Sequence, residues 1–448
     1  MADANNTSKS AEASNNSNSN DESVATTQFN ESFLNYESYP LNLVDKSRFE
    51  NSELARIRQR FEDKDHTLGF LVSEHDETCL AVWDVDKAGH EIKGFVAGNT
   101  RQKLQRWLGH KKPDPQTRLI FLSTAPGRSS GSPRKPFTIS SECLKTILTY
   151  HQVFPQILEF LYCIGTNCIL DEHFTPVALY SQRNLGNRDP QLEIPSLGRT
   201  GRGYQVCYCL KGIDIVPHEA CDPTGRWMIK PATVYHQFNH HTGAQVWIIG
   251  EPKDDIRRSM LENLAQSPVS KEPCINGSQF LASLQGHLTC ARWAAKGWTE
   301  HVEALEMRIH RRTQSQTYVF KPEEIVSTGD EETDRLEDVQ PMSKIVRDLM
   351  YAITALEINV KSFAGLKQFY IDLVGDIRTF GDRPQPKQAV NDFSEDLGNI
   401  IARVTDLRNR AQLAVRIADW DRKDWDYKDI PRINKIKDRR ESSYSTQR

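Results

Sequence analysis

The sequence predicts an α+β fold: a mixed or antiparallel sheet with flanking helices, followed by a bundle of long, coiled-coil-like helices. Three observations predict it. The clearest strand patterns are GYQVCYCL at 203–210, MIKPATVYHQF at 228–238 and AQVWIIG at 244–250. Helical and strand-like stretches alternate before them, from Phe29 onward. After residue 275 the pattern turns wholly helical, with apolar residues recurring three and four apart.

The elements follow in order. Residues 1–27 are mostly Asn, Ser, Asp and Thr, too polar to offset the entropy of ordering, and are expected to be disordered. In the α/β region, 28–275, Asn51 to Phe61 sets Leu54, Ile57 and Phe61 on one helical face. Arg101 to Leu108 is a second helix, closed by Gly109. LGFLVS at 68–73, CLAVWDV at 79–85 and RLIFLST at 118–124 are strand-like. Ser140 or Ser141 caps a helix through Val153, and Pro155 restarts another. Residues 228–250 should form two antiparallel strands joined by Asn239-His240-His241-Thr242-Gly243. Trp247 and Ile249 then share one face, with Val246 and Ile248 on the other. Pro231 marks a sheet edge or a bulge.

In the helical region, 276–430, Leu281, Leu284, Leu288, Ala291, Ala295, Trp298, Val302, Leu305 and Ile309 make an unbroken heptad seam. A second helix runs from Met342 to about Ile377 and a third from about Asp392 to Trp420. The linkers are an acidic stretch at 313–340 and a Pro-rich one at 381–388. Residues 431–448 form a basic, flexible tail. Trp247, Ile249, Trp298 and Leu305 are the expected core. The three helices should pack on one another, and a seam this strict also suits a second copy of the chain. Trp298→Asp with Leu305→Asp is expected to abolish such association.

Composition narrows the function. Lys+Arg 57 against Asp+Glu 60 gives a net charge of -3, without the basic excess of a nucleic-acid binder. The 9 cysteines, an odd number with no apolar leader, point to reduced thiols inside the cell. No run approaches the roughly 20 apolar residues needed to cross a bilayer. The chain as written is therefore expected to be cytoplasmic.

Few residues suggest chemistry. Gly127-Arg128-Ser129-Ser130-Gly131 matches a nucleophile elbow, but the prolines around it prevent the strand-to-helix turn that chemistry requires. His236 and His240 have a zinc-like spacing, and zinc would need two further ligands. Glu331 and Glu332, in the acidic stretch, could attract Mg²⁺, although such runs are commonly solvated linkers. Cys207 and Cys209 share one strand face and suit buried thiols better than ligands. Gly198, Gly201 and Gly203, with Arg199 and Arg202, form a loop that precedes a strand, the reverse of a phosphate cradle's order. No acid–base dyad stands out, so the chain is expected to be no enzyme and to carry no cofactor, Mg²⁺ being the one ion to consider.

Two segments carry a resemblance: TYHQVFPQILEFLYCIGT at 149–166, and YQVCYCL at 204–210 with ATVYHQFNHHTGAQVWIIGEP at 232–252. With the helix from Arg257 to Ala265 and the Trp293/Trp298 helix, they resemble the CorA-like transporter domain of filamentous-fungal proteins, over residues 30 to 420. That resemblance implies an α/β domain facing the cytoplasm, long stalk helices, two transmembrane helices and a pentamer. The family's Gly-Met-Asn pore signature does not occur, and Asp421, Asp424, Asp426 and Pro431 follow the last helix. The expectation is a non-catalytic regulatory or assembly module without a pore. The alternative is a membrane Mg²⁺ transporter whose transmembrane C-terminus is missing from this chain, and in that form the protein would be membrane-associated.

Overall fold

The computed structural model describes residues 24–68, 71, 80–85, 95–97, 101–109, 113–124, 137–165, 178–185, 192–216, 226–250, 254–266, 275–318, 342–376 and 384–428. The expected strand at 68–73 begins on Leu68, which ends a helix instead; the rest of it apart from Leu71, the Gly127–Gly131 loop, Glu331 and Glu332 with most of the acidic stretch, and the tail after 428 lie outside them.

The helices are α1 (24–34), α2 (Asn51–Leu68), α3 (Arg101–Leu108), α4 (Ser141–Tyr150), α5 (Ile157–Gly165), α6 (Asp254–Gln266), α7 (Ile275–Ala295), α8 (Trp298–Tyr318), α9 (Met342–Gly375) and α10 (Pro384–Lys428). The strands are β1 (Leu80–Val85), β2 (Phe95–Ala97), β3 (Thr117–Leu122), β4 (Leu179–Asn184), β5 (Glu193–Ile194), β6 (Arg199–Thr200), β7 (Gly203–Val216), β8 (Arg226–Asn239) and β9 (Gln245–Gly250). The chain divides into two compact units. The first holds Met1–Leu210, Pro231–Ala294 and Lys361–Asn399; the second holds Lys211–Lys230, Ala295–Val360 and Ile400–Arg448. This partition cuts through β7, β8 and the long helices, whereas the sequence reading draws a single line near residue 275.

In the first unit a seven-stranded mixed sheet has the order β2-β1-β3-β9-β8-β7-β4. β3 pairs with β9 in parallel, and β8 pairs with β9 antiparallel with His236 opposite Trp247. The loop between β8 and β9 is closed by Asn239, whose Oδ1 accepts the His241 and Thr242 amides at 3.0 and 3.1 Å. Gly243 follows with φ 68°, a left-handed turn a side chain would strain. The edge expected at Pro231 is not there, since β8 lies between β9 and β7. Its pairing with β9 starts only at Thr233, so that ladder needs no donor from the proline.

Period-two alternation gives the sheet two apolar faces. Cys207, Cys209 and Ile248 join a core with Leu144, Ile147, Leu158 and Leu161 of α4 and α5. The Ser140 hydroxyl accepts the Cys143 amide at 3.4 Å and so caps α4. α1 begins at 24, inside the stretch expected to be disordered, because Ala25 and Phe29 are buried in this unit. Tyr204, Tyr208 and Trp247 point to the opposite face, where α7 and the Lys361–Gly375 part of α9 supply His287 and Tyr370. Cys143, Cys163, Cys207, Cys209 and Cys290 are buried and not joined in disulfides.

The second unit packs three helices. Val302, Leu305 and Ile309 of α8 meet Ile345, Leu349 and Ile353 of α9 and Ala411, Ala414 and Ala418 of α10. Arg410 bonds Glu306 at 2.7 Å. Asn359 clamps the backbone of Lys211, accepting from its amide at 2.8 Å and donating to its carbonyl at 2.7 Å. The Trp298 indole donates to the same carbonyl at 3.2 Å.

Two expectations about the helices need correction. The seam from Leu281 to Ile309 is not one helix: it stops at Ala295 and restarts at Trp298. Gly297, at φ 82°, makes the break, and the spacing hides it because Trp298 resumes the three-four pattern. Leu281 is 44% exposed and outside the core. The stretch at 381–388 is not wholly a linker, since α10 opens at Pro384. Prolines fit a first helical turn, where the missing amide hydrogen has no partner to lose. No described helix is long and apolar enough to cross a membrane.

Candidate functional site

The first unit contains two polar clusters. The hairpin places both His236 and His240 beside Tyr204, each ring 5.5 Å from it. His236 is fully buried and stacks on Trp247 at 4.0 Å. Its Nδ1 lies 3.1 Å from Nε2 of His287, which also meets the Tyr370 hydroxyl at 2.7 Å. His287 Nδ1 meets the Tyr208 hydroxyl at 2.7 Å, and the Tyr370 and Tyr204 hydroxyls are 3.1 Å apart. The result is a hydrogen-bonded chain of His236, His287, Tyr208, Tyr370 and Tyr204 buried among aromatic rings. Among the described residues no three His, Cys, Asp or Glu side chains are grouped closely enough to hold a metal ion. Trp247, Ile249, Trp298 and Leu305 are all buried. Trp298 and Leu305 are therefore packed within the second unit and cannot serve as contacts for another copy.

Burial holds these histidines neutral, pushing His236 down to about 3 and His240 to about 4. His287 is also driven well below the usual range, by burial and by His236 beside it. An unfolded histidine titrates near 6.5. Below that pH the unfolded chain binds more protons than the folded one, so stability is full above about pH 6.5 and is lost as pH falls toward 4. Each such histidine contributes at most about 1.4 kcal/mol per pH unit. Urea unfolding at pH 7.5, 6 and 5 should show this fall, and His236→Gln should make it shallower. A flat profile would contradict the buried placement.

The second cluster lines a pocket of about 110 Å³ bordered by Asp114, Arg118, His151, Arg199, Arg202 and Gln237. Arg118, projecting from β3, is 3% exposed and grips Asp84 of β1 through Nε and Nη2 at 2.8 and 2.9 Å. Arg199 of β6 donates to Asp114 at 2.6 Å and to the Tyr150 carbonyl at 2.6 Å. The Tyr150 hydroxyl donates to Asp114 at 3.1 Å. Burial alone would raise the Asp114 carboxyl, but Arg199 and Arg118 outweigh it and hold the group below its usual range. Burial, with the two arginines, keeps His151 neutral. Of these residues the sequence singles out Arg199 and Arg202, through their glycine-rich loop. Asp114 and Arg118 carry no local signal and are brought in by the topology. The loop's far end is fixed by pairing of β5 with β6, Ile194 opposite Arg199.

Together the fold and the two clusters define a mixed-sheet α+β protein with long helices, whose centre holds a buried histidine–tyrosine hydrogen-bond network. The profile of the CorA-like transporters matches residues 31–317, and the chain belongs to that family. No curated protein matches it. Among solved structures, that of the full-length CmaX protein is 11% identical, over 81% of this chain and 82% of that one, with a TM-score of 0.29. At that score neither fold nor function carries over.

Proposed function

We propose that the chain is a non-catalytic, cytoplasmic regulatory or assembly module of the CorA-like kind, without a pore of its own. The observation that carries this reading is the family match over residues 31–317, the α/β body and the first two long helices. Assembly would be with further copies of itself, as the family resemblance implies. The contact moves from the expected seam to α10, where Leu413, Ile417 and Trp420 are 56%, 44% and 74% exposed. Their four- and three-residue spacing puts them on one helical face, the narrow stripe a parallel or antiparallel helix covers.

Size-exclusion chromatography with light scattering, with and without Mg²⁺, tests this. An oligomer is expected, lost on Ile417→Asp with Trp420→Asp. A strict monomer at high micromolar concentration in both conditions would reject the assembly role. Vesicles carrying the chain should take up no Mg²⁺; uptake would favour a transporter.

A further inference from the structure

We propose that the pocket between β3, β6 and the start of β7 binds a small oxyanion, of carboxylate or phosphate type. Two arginines there have hydrogen bonds left unmade. Arg118 spends Nε and Nη2 on Asp84, and Arg199 spends Nε and Nη1 on Asp114 and the Tyr150 carbonyl. Arg118 Nη1 and Arg199 Nη2 are buried and without a hydrogen-bond partner. Arg118 Nη1 is 3.7 Å from Asp114, too far for a hydrogen bond. A buried donor left unmade is costly, and native proteins satisfy nearly all of them.

The two guanidinium groups belong to one place. Both flank the Asp114 carboxylate, and both lie on the Tyr150 ring, at 5.8 and 4.8 Å from its centre. Both residues line the same pocket. A guanidinium only donates, so what completes this pair must bring acceptor oxygens. Two guanidinium groups flanking one carboxylate, each with an N–H unmade, suit the paired oxygens of a carboxylate or phosphate. Charge agrees. Asp84 balances Arg118 and Asp114 balances Arg199, while exposed Arg202 on the same wall adds one positive charge. The side-chain amides of Gln182 and Gln237, also on the wall, offer further donors. About 110 Å³ accommodates an ion or a short organic acid.

The test uses the full chain in thermal melts and calorimetric titration. Inorganic phosphate and malonate are the probes, with chloride at matched ionic strength as control. A saturable rise in melting temperature above that in chloride is expected for at least one probe. Phosphate alone, or malonate alone, would identify the source. Arg202→Gln, on the exposed loop, should weaken binding several-fold without unfolding the chain. Arg199→Lys keeps the charge but loses the fork, and should weaken it at least tenfold. No response beyond chloride overturns the proposal. So does a response that neither variant changes, which would mean an adventitious ion only. Should Arg199→Lys not fold, Arg202→Gln with the wild-type titration decides. Self-association plays no part in this readout, so it can fail while the assembly role stands.

Discussion

Trp247→Ala is expected to destabilise the first unit by about 3–5 kcal/mol, the usual range for emptying a large aromatic site. Trp247 is 1% exposed on the central strand β9. Its ring covers His236 and His287, and its indole donates to the Gln245 side chain at 3.0 Å. Alanine would leave a cavity, and with it a Gln245 oxygen that has lost this donor. Chemical denaturation should record the loss as a lower midpoint with little change in slope. An unchanged midpoint would mean the strand does not sit where the register puts it.

Asp114→Ala should cost about 3–5 kcal/mol, for a different reason. The Arg199 guanidinium depends on this carboxylate for its pairing, Arg118 lies 3.7 Å from it, and breaking a buried pair leaves charge uncompensated in a medium that solvates it poorly. The surface supplies the contrast. Arg292 and Asp396 meet at 3.1 Å with side chains 57% and 51% exposed. Asp396→Ala should therefore cost no more than about 1 kcal/mol. If the two substitutions cost the same, Asp114 is far better solvated than its place between Arg118 and Arg199 implies.

These cases divide what the sequence reveals from what it hides. The hairpin is legible because strand alternation and a Gly-closed polar loop are local signals, and both survive in β8 and β9. The two faces of β7 are legible for the same reason: Cys207 and Cys209 go one way, Tyr204 and Tyr208 the other. His287 is not, because on a helix it reads as one polar residue in an apolar pattern, and its partners come from β7, β8 and α9. The polar pocket is hidden more deeply. Asp84, Asp114, Arg118 and Arg199 are ordinary charged residues in sequence, and only the pairing of β1 with β3, with Arg199 of β6 reaching Asp114 just before β3, turns them into a cluster. The broken seam fails in the opposite sense. A heptad count sees Trp298 arrive on schedule and does not register that Gly297 has turned the backbone between the two helices.

The buried thiols have a practical side. Cys207 and Cys290 are pushed well above the ordinary thiol range by burial, and only a thiolate attacks a disulfide or alkylating reagent readily. Cys143, Cys163 and Cys209 are equally shut away. In the native protein these five sulfurs wait for the chain to open before they can be modified. Two lie on β7, two on the helices beneath the sheet and one on α7. Timed alkylation read by peptide mass would therefore act as a clock, with each sulfur recording how often its own layer comes apart.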